Sequence, residues 1–197
     1  MAPRFIEPVT LAGRYARLEP LARELEAAVR AAAADGELWR LWYTSVPAPD
    51  RVPAWLDAAL AMRETLGAMP FVIRDNASGE VVGSTRYFNV DAANRRLEIG
   101  HTWHAQRAQR TAINTECKLL LLAHAFETLA CIAVEFRTHY FNFASRRAIE
   151  RLGAKQDGIL RQHQILADGT LRDTVVFSII SPEWPAVKRH LAFLLER

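Results

Sequence analysis

Cysteine is scarce in this sequence. Only Cys117 and Cys131 occur among its 197 residues, and both stand among apolar neighbours. Their spacing matches no zinc or redox motif, so we interpret them as buried free thiols rather than as a metal or redox centre.

Long apolar runs and dense runs of one charge are also missing. No stretch is long enough to cross a bilayer, and the N-terminus (Met-Ala-Pro-Arg-Phe-Ile-Glu) lacks the pattern of a signal peptide. The simplest expectation is a cytoplasmic protein without a membrane partner. The formal net charge is only +3, so we predict no nucleic-acid partner. This small positive charge fits small anionic ligands at least as well as it fits nucleic acid.

The composition that remains is that of an ordinary globular domain, with 50% apolar and 24% charged residues. No internal repeat, low-complexity tract or linker divides it. We therefore expect one domain over residues 1–197, with a core at about 9–180 and a C-terminal helix at about 182–195.

Apolar periodicity and turn residues predict a mixed α/β fold (α/β or α+β) with helices on both faces of the sheet. The segment 96–139 reads as strand, helix, strand, a crossover that makes its two strands parallel neighbours. The predicted strands are 9–18, 71–74, 81–90, 96–104, 132–139, 159–166 and 171–180, and the predicted helices are 21–34, 37–43, 53–66, 114–130, 144–152 and 182–195.

The polar loop between strand 96–104 and helix 114–130 is a candidate anion site. The first N–H groups of a helix are unpaired and its dipole favours negative charge there, and Arg107 and Arg110 add positive charge. The alternative is that Asn114 or Thr115 simply caps a surface helix and the arginines are solvated.

Three blocks, in this order, resemble motifs of the GNAT superfamily of N-acetyltransferases. Gln-Arg-Thr-Ala-Ile-Asn at 109–114 lines up with its acetyl-CoA pyrophosphate loop, usually Q/R-x-x-G-x-G/A. Residues 142–154 resemble the second motif, N-x-x-S followed by L-G-F/A. Residues 168–177 resemble the closing hairpin of the Rim-type branch, whose members acetylate the N-termini of ribosomal proteins. The resemblance covers about 9–180 and implies a mixed, mostly antiparallel twisted sheet.

The chain departs from the family pattern at three positions. Ala112 and Asn114 replace small loop residues, usually glycine; a Cβ at 112 limits the approach of the backbone, whereas Asn tolerates a left-handed conformation or caps a helix. Ile149 stands where many members carry a tyrosine that protonates the departing thiolate. The Rim-type branch also lacks that tyrosine and is thought to use a nearby serine, here Ser145.

The resemblance implies transfer of an acetyl group from acetyl-CoA to a primary amine, by direct attack in a ternary complex. The acceptor is a protein N-terminus or a small amine, no metal is needed, and the protein is a monomer or a homodimer. The altered loop and the missing tyrosine motivate an alternative, a non-catalytic CoA-sensing or partner-binding module. A nucleic-acid-binding domain is a weaker possibility.

The resemblance also assigns roles to residues. Glu98 is the candidate base, directly or through water; the alternative is an ordinary exposed strand residue or an ion-pair partner. The backbone near Trp103 is the candidate donor to the thioester oxygen. Asn142 is a candidate contact to the pantetheine arm or a support for its loop, with a turn residue or a helix cap as the alternative. Ser145 has the alternative of an ordinary serine in a first helical turn. Arg146 or Arg147 is a candidate contact to the cofactor's phosphates, with a solvated helix face as the alternative. The predicted cofactor-binding residues are Trp103, Gln109, Arg110, Thr111, Ala112, Ile113, Asn114, Thr115, Asn142 and Arg146.

The acceptor side has fewer sequence signals. Trp42 and Tyr43 are candidate substrate-binding residues, since the early helices lie over the acceptor site in the family; the alternative is that they belong to the core. Tyr87, on the second strand of the meander, is another candidate. His139 is an alternate base and His124 a core residue. His101 and His104 lie three apart on a strand and point to opposite faces, which argues against a metal pair.

Overall fold

The computed structural model describes residues 5–196, which form one mixed sheet with helices on both faces. The strands of this part of the chain are β1 (Leu11–Ala12), β2 (Ala16–Pro20), β3 (Met69–Asp75), β4 (Val81–Asp91), β5 (Arg96–His104), β6 (Ala133–His139), β7 (Lys155–Ile165) and β8 (Leu171–Ile180). The α-helices are α1 (Glu26–Ala34), α2 (Val52–Leu66), α3 (Ala112–Ala123), α4 (Phe143–Glu150) and α5 (Trp184–Leu195).

The sheet order is β1-β2-β3-β4-β5-β6-β8-β7. Every neighbouring pair is antiparallel except β5 and β6, which are parallel and joined through α3. The predicted fold class and the predicted crossover over 96–139 are both confirmed. A parallel pair inside an antiparallel sheet brings the C-terminal ends of β5 and β6 to the same edge.

Two adjacent residues of β5 show that α2 and α3 cover opposite faces. The Trp103 ring meets Trp55 of α2, with the ring centroids 6.2 Å apart. The hydroxyl of its neighbour Thr102 accepts a 2.7 Å hydrogen bond from Lys118 of α3. Successive side chains of a strand point to opposite faces, so the sheet is buried between these helices.

The first predicted strand is broken in two. A turn at 13–15 separates β1 from β2, because the buried Glu116 carboxylate of α3 accepts the N–H groups of Arg14, Tyr15 and Ala16 at 2.7, 2.6 and 2.7 Å. A Cβ at Gly13 would collide with this carboxylate. A contact about a hundred residues away in sequence leaves no local signal.

The helices also differ from the prediction at their ends. The predicted helix 37–43 is one 3-10 turn, Leu38–Arg40. α3 begins at Ala112 rather than at 114, and the chain continues beyond it as a π-helical turn, His124–Thr128. Gly153 follows α4 with φ +96°, as a C-terminal cap requires. Among the described helices, none is long and apolar enough to span a membrane.

Cys117 and Cys131 are buried and unpaired, as predicted. Burial raises the pKa of the Cys117 thiol to about 12 and that of Cys131 to about 11. Neither thiol ionises near neutral pH, so both act as small apolar core groups.

Candidate functional site

The site is organised by an opening between β5 and β6. The two strands pair only at Arg96–Ala133, Leu97–Val134 and Glu98–Glu135. Beyond Glu98, β5 runs on to His104 and β6 to His139 without pairing to each other. The diverging ends leave a wedge between two strands, with the first turn of α3 after one and the first turn of α4 after the other.

A bulge in β5 decides which side chains face each helix layer. Ser84 of β4 pairs with Trp103, but Arg86, two residues later, pairs with Gly100, so β5 carries one extra residue between them. His101 takes up this residue with φ 49°. A one-residue insertion reverses the alternation that follows it. The bulge therefore brings Trp103 to the same face as Glu98.

Glu98 lies at the inner end of the wedge. Glu98 is 3% exposed. Its carboxylate accepts a 2.8 Å hydrogen bond from Asn89 and lies 3.5 Å from the Arg137 guanidinium. Burial raises the pKa of Glu98 to about 7, against the opposing effects of Asn89 and Arg137. At neutral pH, a carboxyl group with this pKa is a substantial fraction ionised, as a general base requires. The alternative of an exposed strand residue is contradicted, whereas the alternative of an ion-pair partner is compatible with Arg137 at 3.5 Å.

The loop before α3 positions its backbone with few side-chain contacts. Gln109 donates from Nε2 to the His104 carbonyl at 3.1 Å. The Thr111 side chain caps α3 and accepts from Ile113 N at 3.3 Å. The left-handed residue of this loop is Arg110, with φ 59°, and neither Ala112 nor Asn114 has positive φ. The two departures from the family pattern therefore need no glycine conformation.

The two loop arginines have different surroundings. Arg107 is engaged by Asp35 at 2.7 Å and by Glu80 at 3.0 Å. Arg110 is exposed, and no group within residues 5–196 pairs with its guanidinium. A cavity of about 450 Å³ opens beside the first turn of α3, bordered by Arg107 and Ala112. The unpaired cation of the loop is therefore Arg110.

The Asn114 and Thr115 side chains are used inside the protein. Asn114 Oδ1 accepts from His104 Nε2 at 3.1 Å, and the buried Thr115 hydroxyl accepts from Arg151 at 2.9 Å. Neither residue caps α3, which is the role of Thr111. What these two positions can offer a ligand is the backbone of the first helical turn.

The predicted residues of α4 stand at its first turn. Asn142 caps the helix, with Oδ1 accepting from Ser145 N at 3.0 Å. Arg146 lies over the rings of Tyr140 and Phe143, at 5.1 and 5.4 Å. The Ser145 hydroxyl has no hydrogen-bond partner within the described residues and is partly exposed.

An aromatic cluster lies at the end of β6. Trp42 is 55% exposed, and its ring meets His139 edge-on with centroids 4.8 Å apart. Tyr43 and Phe141 complete the cluster around the same imidazole. His139 Nδ1 accepts from Phe141 N at 3.1 Å, so the neutral ring carries its proton on Nε2. That geometry makes Nε2 a donor and disfavours the alternate role of His139 as a base.

Tyr87, a predicted substrate-binding residue, is buried in the core. It is 0% exposed, and its hydroxyl donates a 2.6 Å hydrogen bond to the Leu121 carbonyl of α3. Its ring also stacks with His124, a partly buried residue of the helical layer. This burial contradicts direct contact between Tyr87 and a substrate, because alternation along β4 directs its side chain toward α3.

Sequence reasoning missed the polar and charged residues that surround Glu98. Asn89, Arg137 and Arg172 reach it from β4, β6 and β8. Sequence reasoning also missed Arg86, a residue of β4 on the same face that is 2% exposed. Its one local signal is its place in the otherwise apolar and small stretch 81–88 of a central strand, where an arginine is rarely buried without a purpose.

Comparison with known proteins agrees with this architecture. The model of a family described as an acetyltransferase (GNAT) domain matches residues 16–155. The chain belongs to the GNAT acetyltransferase family. It is 31% identical over 110 residues to "Putative ribosomal N-acetyltransferase YdaF" of Bacillus subtilis (strain 168), a match covering 56% of this chain and 59% of YdaF.

Solved structures extend the likeness over nearly the whole chain. A GCN5-related N-acetyltransferase from Brucella melitensis is 33% identical, with a TM-score of 0.86 over 98% of this chain and 87% of that one. Mycobacterium smegmatis RimJ in complex with CoA-disulfide is 24% identical, with a TM-score of 0.78 over 95% of each chain. The RimJ likeness shows the fold alone. The family and the fold are those of acetyl-transferring enzymes.

Proposed function

We propose that this enzyme transfers an acetyl group from acetyl-CoA to a primary amine, by direct attack in a ternary complex. The observation that carries the proposal is Glu98, a buried carboxyl at the inner end of the β5/β6 wedge with a pKa of about 7. An ammonium group cannot attack a thioester. Glu98 is our candidate to accept the proton of the amine, directly or through a water molecule.

The wedge and the two helix N-termini fit a CoA thioester. The α3 first turn offers unpaired N–H groups and the exposed Arg110 cation, a combination suited to a diphosphate. Gln109, Thr111, Ala112, Ile113, Asn114 and Thr115 contribute backbone around that position, with Asn142 and Arg146 on the α4 side. When bound, acetyl-CoA supplies an activated acetyl group on a thiolate that leaves readily.

The bulge supplies the remaining polar groups. Because a bulge interrupts the ladder, backbone N–H groups between His101 and Trp103 are candidates to stabilise charge developing on the carbonyl oxygen. Ser145, whose hydroxyl is free within the described residues, is the candidate proton donor to the departing thiolate. Trp42 and Tyr43 border the acceptor side, beside His139.

The acceptor is a protein N-terminus or a small amine. The name of YdaF favours a ribosomal protein, but the match covers 59% of YdaF. The buried free thiols suit a reducing compartment, and a cytoplasmic enzyme is part of this proposal.

The test is an acetyl-transfer assay that measures thiol release from acetyl-CoA with a panel of peptides and small amines. Transfer that falls sharply in Glu98→Gln, but not in the exposed control Glu150→Gln, supports the proposal. CoA binding without transfer to any acceptor supports the alternative, a CoA-sensing module. Transfer indifferent to Glu98→Gln overturns the proposed mechanism.

A further inference from the structure

On the Glu98 face, two buried N–H donors of β4 and β5 lack an acceptor within the described residues, as His139 Nε2 of β6 also does. Arg86 is 2% exposed and Trp103 5%. Within residues 5–196, neither Arg86 Nε nor Trp103 Nε1 has a hydrogen-bond partner. Both lie against Trp55, the guanidinium 5.6 Å and the indole 6.2 Å from its ring centroid. Trp55 is only partly buried, so the two donors lie close beneath the surface.

Within residues 5–196, Arg86 also lacks a counter-ion. Among the described residues, the polar contact of its guanidinium is a 3.1 Å hydrogen bond from Nη1 to the Met62 sulfur, which is a weak acceptor. Burial lowers the pKa of Arg86 to about 10, and no carboxylate opposes that effect. A buried guanidinium is costly unless an anion pairs with it, so an unpaired one points to a ligand that supplies the anion.

A second guanidinium faces the same region from β8. Arg172 donates from Nε to the Thr174 hydroxyl at 3.1 Å. After burial, the charges of Arg86 and Arg172 are the further causes that lower the pKa of His101, to about 4. His101 is therefore neutral, and the charges of both arginines act on it. The nearby carboxylate Glu135 is already paired with Arg96 and Arg137.

The position of these donors relative to Glu98 sets the size of the ligand. Arg86 pairs across the ladder with Gly100, and Phe88 pairs with Glu98. Residues two apart on a strand share a face and lie about 7 Å apart. A molecule whose amine reaches Glu98 thus places atoms a few bonds away near Arg86.

We propose that the amine acceptor carries a carboxylate, held by Arg86 and the Trp103 indole N–H and attracted by Arg172. The inference rests on the proposed function and narrows its acceptor class. Such a site selects amino acids or acidic peptides over cationic or neutral amines.

Matched acceptors test this. Transfer is measured with L-alanine, β-alanine and 4-aminobutyrate, each against its own amide, which removes the charge and keeps the amine. The expected result is a kcat/KM at least about tenfold higher for the acid at one or more of these lengths. Amides that equal or exceed their acids at all three lengths would overturn the inference.

Variants then assign the preference to its residues. In Arg86→Met, the acid-to-amide ratio is expected to fall to about one, while Arg63→Met on α2 keeps the wild-type ratio. If Arg86→Met does not fold, as thermal melting will show, Arg172→Gln replaces it and must lower the same ratio. An unchanged ratio in a folded Arg86→Met protein would overturn the assignment.

A binding measurement separates this inference from the proposed function. Absence of transfer to every amine, with CoA still bound, contradicts the proposed function. Calorimetry of the CoA-bound protein with the same acids and amides then decides the carboxylate site. Acid-selective binding lost in the arginine variant supports the site, and equal binding of acids and amides refutes it.

Discussion

Glu98 and Glu135 form the last register pair between β5 and β6, yet their pKa values move in opposite directions. Burial raises the pKa of Glu98 to about 7, since Asn89 at 2.8 Å and Arg137 at 3.5 Å only partly oppose it. Burial is also the largest single effect on Glu135, but Arg96 at 2.6 Å and Arg137 at 2.9 Å together outweigh it and lower the pKa. One carboxyl is thus prepared for proton transfer and the other for an ion pair.

Acetyl transfer should rise with pH through about 7, the pKa of Glu98, because only the ionised carboxylate accepts a proton. In Glu98→Gln we expect this inflection to vanish and the rate to fall on the order of 10²–10⁴-fold. The inflection is measured from profiles of kcat/KM between pH 5.5 and 9. The same amine is used for both proteins, so that its own titration affects both profiles equally. An inflection near 7 that survives in Glu98→Gln contradicts the assignment.

Glu98 also predicts a dependence of stability on pH. Its folded pKa of about 7 exceeds its usual value of 4.5, so the folded protein holds an extra proton between these values. The stability of the wild type relative to Glu98→Gln should therefore fall as pH rises from 4.5 to 7, by at most about 3 kcal/mol, and then level off. Chemical denaturation of both proteins at pH 5 and 8 gives the difference. An equal difference at both pH values would refute the raised pKa.

Arg110 should contribute to CoA binding. We expect Arg110→Ala to weaken the affinity for CoA about tenfold, or about 1.4 kcal/mol, because it removes the unpaired cation of the loop. Arg110→Gly should show a similar loss, since glycine accepts the left-handed φ of 59° at no steric cost. Isothermal titration measures both, with the exposed Arg51→Ala as control. Affinities unchanged in both variants would mean that the phosphates lie elsewhere.

Trp42 should affect the acceptor and not CoA. Its ring is 55% exposed beside His139, so Trp42→Ala removes apolar contact area from the acceptor side. We expect KM for the acceptor to rise about tenfold, with CoA affinity and thermal stability nearly unchanged. Leu66→Ala, at an equally exposed position at the end of α2, is the matched control. A selective loss of CoA affinity would reassign Trp42 to the cofactor side.

Glu116 should stabilise the fold by holding the turn before β2. It is 6% exposed and accepts three backbone N–H groups. In Glu116→Gln an amide nitrogen replaces one accepting oxygen, which leaves a buried donor unsatisfied and costs about 1–3 kcal/mol. The measurement is the free energy of unfolding, with exposed Glu150→Gln as control. A loss no larger than that of the control would show that the turn tolerates another arrangement.

The sequence by itself determined most of the elements. β5 was predicted with its observed bounds, Arg96–His104, and the crossover that follows was predicted with the correct pairing. Periodicity and turn residues act within a few positions of each other, so these features are local. The hypothesis for Glu98 came from the same strand together with the family resemblance, and it stays a hypothesis until its variants are measured.

Only the tertiary structure decided which side chains these elements bring together. The bulge at His101 depends on the register with β4, and it sets which face Trp103 occupies. Tyr87 is buried because α3 packs against it, and Arg86 is buried because Trp55 covers it. Burial and the charges on neighbouring strands set the pKa of Glu98, and neither is written in any short stretch of sequence.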